Sequence, residues 1–168
     1  MNIRIRSEAP SDASAIEAVT VAAFLNASHA SHTEHLIVDA LRRSRQLTIS
    51  LVAEEHGQVI GHVAISPVSI IGGVDKWYGL GPISVVPERQ GRGVGTQLME
   101  HALAELRARG AAGCVVLGDP SYYCRFGFQA EPSLVLPGVP PAYFQVVSFG
   151  GPMPTGTVSY HDSFAAQG

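Results

Sequence analysis

Residues 77–108 confine the fold more than any other stretch, because three local patterns follow one another there without a gap. A run rich in β-branched and aromatic residues, 77–86, ends at Pro87, and from Val94 onward apolar residues recur four apart at Val94, Leu98, Ala102 and Leu106. This reads as a strand, a tight loop and an amphipathic helix. Between strand and helix lies Arg89-Gln90-Gly91-Arg92-Gly93-Val94-Gly95-Thr96. A helix that starts directly after such a loop presents unclaimed backbone N–H groups and the positive end of its dipole, so an anion is its natural ligand. Glycines at 91, 93 and 95 let that anion approach the backbone, while Arg89 and Arg92 supply charge suited to a diphosphate.

The spacing excludes two common nucleotide folds. A dinucleotide fingerprint requires Gly-x-Gly-x-x-Gly, and counting from Gly91 or Gly93 the last position falls on Thr96 or Leu98. A Walker loop requires Gly-Lys-Ser/Thr, and the only lysine, Lys76, lies outside the loop.

The remaining patterns build an α/β chain around this unit. Ile3 and Ile5 alternate with Arg4 and Arg6 as in a half-buried strand. After Ser11-Asp12, Ala15, Ile16, Val19, Ala22 and Ala23 form one helical face to about Leu25. Ser31 or Thr33 caps a second helix that carries Glu34, Leu36, Ile37, Ala40 and Leu41 and ends near Arg42 and Arg43. Runs 49–53 and 59–71 make a hairpin about His56-Gly57. The 94–106 helix closes on Arg107, Arg109 and Gly110, and a buried strand follows over 114–117.

At 168 residues with 46% hydrophobic side chains, the chain is expected to be a single domain, 1–168, with its own core. Its 11 basic and 14 acidic residues are scattered, which argues against nucleic acid and membrane surfaces as partners. The N-terminus lacks the apolar stretch of a secretion signal, and no segment is long enough to span a bilayer. Two cysteines, Cys114 and Cys124, suit a reducing compartment, so a cytoplasmic location is expected.

The loop resembles the signature of the GNAT superfamily of N-acetyltransferases, Gln/Arg-x-x-Gly-x-Gly/Ala, matched here by Gln90, Gly93 and Gly95 after Ile83-Ser84-Val85-Val86-Pro87. The resemblance covers nearly the whole chain and continues in Tyr-x-x-x-Gly-Phe at 123–128. It implies a mixed, mostly antiparallel twisted sheet of about seven strands flanked by helices, splayed between the fourth and fifth strands. It also implies acetyl-CoA as co-substrate and a primary amine as acceptor, with direct attack in a ternary complex and no metal. The pyrophosphate would lie on Gln90, Gly91, Arg92, Gly93, Val94, Gly95 and Thr96, and the pantetheine arm along Ile83, Ser84 and Val85. Tyr123 would protonate the departing thiolate, with Tyr122 as its understudy. Many family members carry an asparagine seven residues before that tyrosine. Here the position is Val116, so the side-chain contact to the pantetheine falls to Asp119 or Ser121. A homodimer is left open.

An alkylammonium costs about 4 kcal/mol to deprotonate at pH 7, so a base is expected. Glu34, Glu54, Glu55 and Asp119 are the candidates, with Glu34 favoured because the second helix commonly shapes the acceptor pocket in this family. His29, His32 and His35 recur at intervals of three, but no Cys or carboxylate spacing completes a metal site. Cys124 has no base that the sequence can pair with it. The function from a different class is a non-catalytic acyl-CoA-binding sensor that keeps the loop.

Overall fold

The structure is a computed structural model that describes residues 2–27, 30–72 and 74–166. In chain order it contains β1 (Ile3–Ser7), α1 (Ala13–Phe24), α2 (Glu34–Arg43), β2 (Ile49–Glu55), β3 (Gln58–Ile70), β4 (Trp77–Val85), α3 (Val94–Ala108), β5 (Gly113–Leu117), a single-turn α4 (Pro120–Tyr123), β6 (Gln129–Ala130), β7 (Leu134–Val135), β8 (Phe144–Ser148) and β9 (Gly156–Tyr160). Seven strands lie side by side as β1-β2-β3-β4-β5-β8-β6, with β9 attached to the end of β3 and β7 attached to β9. The pairings are antiparallel except β4 with β5 and β7 with β9. This is the mixed, helix-flanked sheet expected from the resemblance. None of the described helices is long and apolar enough to cross a membrane.

Local rules account for much of it. His56 and Gly57 both have positive φ, 52° and 78°, and join Glu55 to its partner Gln58 in a two-residue turn whose twist suits a hairpin. Leu98, Met99, Ala102 and Leu106 are fully buried on the α3 face, which packs on Ile49, Leu51, Val63 and Ile65. Each large aliphatic there contributes roughly 1.5–3 kcal/mol through burial. On the opposite face α1 and α2 meet the sheet through Ile16, Val38 and Val52. A third cluster, with Trp77, Val115, Phe144, Val146 and Val158, is completed by the Pro-rich tail, where the short strands β7 to β9 carry too little periodicity to be legible in sequence.

The feature that positions the site is the parting of β4 from β5. Only Trp77 to Leu80 pair with β5, through Gly113 to Val116. Beyond them β4 spends three residues, Leu80 to Ile83, where β3 spends two, Ile65 to Val63. This bulge bends the strand and returns Ile83 and Val85 to the α3 face already used by Tyr78 and Leu80. From 81 to 85 the strand keeps β3 on one side and, among the described residues, has no strand on the other, because β5 ends at Leu117 and turns into α4.

Candidate functional site

The free edge of β4 leads straight into the glycine loop. After a 3-10 turn at Pro87–Arg89, Gln90 returns its side chain to the strand and donates from Nε2 to the Val85 carbonyl at 2.9 Å. Gly91 and Gly93 both occupy left-handed backbone, φ 76° and 84°, which a side chain would strain. Gly93 is the N-cap residue of α3 and no side chain caps the helix, so its first N–H groups are left for a ligand. A cavity of about 370 Å³ opens over them, lined by Val85, by Arg89 to Thr96 with the exception of Arg92, and by Tyr122 and Arg125.

The sequence-predicted loop residues are thus gathered, with one redistribution of charge. Arg92 is exposed and lies outside the cavity lining. Arg89 lines the cavity but spends its Nε on Glu55 at 2.7 Å, which holds the Glu55 carboxyl below its ordinary range. Arg125, which no sequence pattern singled out, supplies the other cation. Its guanidinium stacks 4.6 Å from the Tyr122 ring centre and its Nε donates to the Tyr122 carbonyl. The contact spans three residues of an irregular turn, where no periodicity marks it.

Asp119 caps α4, accepting from the Ser121 N–H at 2.9 Å and the Ser121 hydroxyl at 2.8 Å, and these bonds lower its pKa. The turn sends the two tyrosines to different places. Tyr122 lies beside Gly95, its hydroxyl 3.0 Å from where a Cβ would stand. Tyr123 is half-buried and lies flat on Gly118, at the end of β5, where a Cβ would meet its Cε2 at 2.5 Å. Phe128 and Tyr122 flank the Tyr123 ring edge-on at 6.0 and 5.0 Å. Burial, with smaller contributions from Tyr122 and Asp119, pushes the Tyr123 phenol up to about 12, so at neutral pH it holds its proton and can give it.

Each of the four carboxylates considered as a base already has a partner. Glu34 Oε2 accepts from the Ser31 N–H at 2.9 Å and the Ser31 hydroxyl at 3.1 Å, an arrangement that caps the start of α2. Glu54 binds Arg6 at 2.9 Å, Glu55 binds Arg89, and Asp119 binds Ser121. His29 lies outside the described residues. His32 is exposed, and no three metal-binding side chains come together among the described residues. Cys124 is exposed, with its thiol on the Ser121 carbonyl at 3.5 Å, while Cys114 is buried.

Sequence reasoning missed a second polar assembly on the other face of the sheet. Arg42 binds Glu8 through Nε and Nη2 at 3.0 and 2.9 Å, the Ser50 hydroxyl donates to Glu8, and Ser50 meets His62 Nε2 at 2.7 Å. Burial pushes the His62 imidazole down to about 4. The partners stand 42 and 12 residues apart, so only the strand register reveals them.

Residues 4–130 match the model of the Acetyltransferase (GNAT) domain. The chain is 39% identical over 168 residues to the N-acetyltransferase YhbS of Escherichia coli K12, covering 95% of this chain and 97% of that protein. The crystal structure of the Escherichia coli YhbS protein in complex with CoA superposes with a TM-score of 0.87 at 38% identity, over all of this chain and 94% of that one. A GNAT family acetyltransferase from Brucella melitensis in complex with acetyl-CoA is 52% identical, with a TM-score of 0.87 over 97% of this chain and 98% of that one. With its parted strands, its glycine loop and these relatives, the chain belongs to the GNAT family of acetyltransferases.

Proposed function

We propose that residues 1–168 form one domain that transfers the acetyl group of acetyl-CoA to a primary amine by direct attack in a ternary complex. The observation that carries this reading is the continuity of the free β4 edge with the uncapped N-terminus of α3, which offers one surface for an amide-bearing arm and a diphosphate. The Brucella melitensis and Escherichia coli relatives, solved with acetyl-CoA and CoA, support it. The diphosphate would rest on the N–H groups of Gly91 to Thr96, with Arg89 and Arg125 beside it. The pantetheine would extend β4 along Ile83, Ser84 and Val85, with Asp119, Ser121 and Tyr122 walling the other side. As the amine nitrogen bonds to the acetyl carbon and the carbon–sulfur bond breaks, Tyr123 would give its phenolic proton to the thiolate. A cytoplasmic setting agrees with cysteines that stand unpaired.

The engagement of all four candidate carboxylates favours a second reading, a non-catalytic acyl-CoA-binding module. Two measurements test the proposal. Calorimetry should show acetyl-CoA binding by the wild type and none by Gly93→Asp, which places a side chain at φ 84° and a negative charge at the helix start. Thiol release should follow when acetyl-CoA is offered with a panel of amines that includes benzylamine, aniline and peptides. Equal binding by both proteins rejects the loop as the site, and binding without thiol release from any amine selects the sensor.

A further inference from the structure

Gln145 is a fully buried polar side chain in an apolar row. It stands on the α3 face of β8, two residues from Val147 and opposite Val116 of β5, both of which belong to the core under α3. Its Nε2 donates to the Gly118 carbonyl at 3.0 Å, and this fixes the orientation of the amide, because only the nitrogen can donate there. Its Oε1 is buried with no hydrogen-bond partner among the described residues. One bond made and one acceptor left unmet make the amide a poor stabiliser, so an aliphatic side chain of the same size would serve the core as well. The reason for the glutamine lies at Gly118. The β5–β8 ladder ends at Leu117 and Phe144. Beyond it the Gly118 N–H donates to the Tyr143 carbonyl at 2.9 Å and the Gly118 carbonyl takes the Gln145 amide, so the chain is held for one residue more. From this residue α4 hangs. The Asp119 carbonyl accepts the N–H groups of Tyr122 and Tyr123 at 3.1 and 3.2 Å, its carboxylate holds Ser121, and the Tyr123 ring lies on Gly118 itself. Gln145 also pairs through its backbone with Ala130, which follows Phe128, the ring that flanks Tyr123.

We propose that Gln145 is a positioning residue for acetyl transfer: through the Gly118 carbonyl it fixes the peptide that aims the Tyr123 phenol at the departing thiolate. The inference rests on the reading of Tyr123 as the acid and names the group that gives this acid its direction. A single helical turn has no cooperative stability of its own, so the direction of α4 is set by the peptide it starts from. Asp119 and Ser121 hold the turn internally and do not fix it to the sheet. Without the amide, the Gly118 N–H stays on Tyr143 while the following peptide is free to rotate about a glycine, the residue with the widest backbone freedom. Such a rotation moves both the seat of the Tyr123 ring and the turn that carries it. A displacement of about 1 Å between reacting groups is enough to cost roughly 10²-fold in rate. The fold itself loses little, because Gly118 is half-buried and its carbonyl can turn to water.

The test has a kinetic and a spectroscopic arm. Gln145→Leu removes the amide with little change of volume, and Gln145→Met does so with a more adaptable chain should the leucine variant not fold. Either should keep the melting temperature, the amine KM and the acetyl-CoA Kd, and lower kcat by roughly 10- to 10²-fold. Placed in Tyr123→Phe, either should lower kcat no further, because the group it positions is gone. A full additional loss in the double variant, or a kcat that falls only as the folded fraction falls, overturns the proposal. The second arm needs no turnover. In the full chain labelled with ¹³C-tyrosine, the Tyr123 ring signal, identified by its absence from Tyr123→Phe, is shifted by Phe128 and Tyr122, which stand edge-on at 6.0 and 5.0 Å. Gln145→Leu should move that signal and leave the Tyr78 signal in place, and an unmoved Tyr123 overturns the proposal. If the wild type acetylates no amine, the transfer reading fails by itself, and the ring signal still decides whether Gln145 places Tyr123.

Discussion

On the α3 face the site is assembled from neighbours in the chain: Gln90 folds back five residues onto Val85, Gly93 opens the helix that follows it, and Asp119 holds Ser121 two residues on. On the α1 and α2 face the polar groups come from the residue after β1, from β2 and β3 and from α2, and they meet only because the strands pair as they do. The first region tolerates water, since its hydrogen bonds are exposed. The second is shut from water at its Ser50–His62 contact, where a lost partner leaves a buried polar group unmet, while Arg42 and Glu8 stay partly open. Mutations should therefore act mainly on ligand binding in the first region, and on stability in the second.

Acid is the most forceful way to break this contrast. An imidazole held at about 4 when folded, against 6.5 when exposed, binds fewer protons in the native state between those values. Its contribution to stability is complete above pH 6.5 and is lost as pH falls through 4, an effect of about 3 kcal/mol. Glu8 and Asp12, both lowered, add losses of the same sign below the ordinary carboxylate range. Urea unfolding at steps from pH 7 to pH 4 should show the decline, and His62→Gln should flatten the part above pH 5. A variant as acid-sensitive as the wild type would place the titration elsewhere.

Next in size is the loss of one hydroxyl from Tyr123. Tyr123→Phe keeps the ring on Gly118 and between Tyr122 and Phe128, so acetyl-CoA affinity and melting temperature should hold while kcat falls by roughly 10²-fold. Tyr122→Phe, which alters a hydroxyl beside Gly95 instead, should move affinity more than kcat. If the two phenotypes are exchanged, the acid is Tyr122.

These contrasts also mark what the sequence could disclose. The strand, loop and helix over 77–108, the His56-Gly57 turn and the closing Gly110 were legible because propensity, spacing and turn chemistry are local. Charge placement was not. Arg89 reads in sequence as a cation for the diphosphate, with nothing to show that the fold also brings Glu55, from the β2–β3 hairpin, onto its Nε. Asp12 reads as a helix-start signal, yet its carboxylate also anchors Arg6 at 2.7 Å, and Arg6 in turn binds Glu54 from the neighbouring strand. The same holds for His62, which in sequence is one polar residue within an apolar strand; only register places Ser84 beside it.

Around the glycine loop, two arginines sharpen the comparison further. Arg125→Ala should weaken acetyl-CoA by about 10-fold, in line with one charge-assisted hydrogen bond, and the loss should shrink as salt rises. Arg92→Ala, exposed and outside the cavity lining, should stay within about twofold. Titrations at low and high ionic strength decide between them, and a larger loss at Arg92 would return the diphosphate contact to the residue chosen by spacing.

The smallest effect belongs to Glu34, the carboxylate that sequence reasoning favoured as base. Its Oε2 accepts both the N–H and the hydroxyl of Ser31, three residues before it, and it sits in the first turn of α2, where a negative charge meets the positive end of the helix dipole. Glu34→Gln keeps an acceptor oxygen and removes the charge, so stability should fall by roughly 0.3–1 kcal/mol. The rise of kcat/KM with pH should keep its midpoint, because a carboxylate that accepts both the Ser31 N–H and hydroxyl is already committed to the cap. A base has the opposite signature: an unaltered melting temperature with the pH-dependent rise displaced or abolished. That outcome would seat the base at the start of α2, where Glu34 would have to leave its Ser31 partners to take the amine proton.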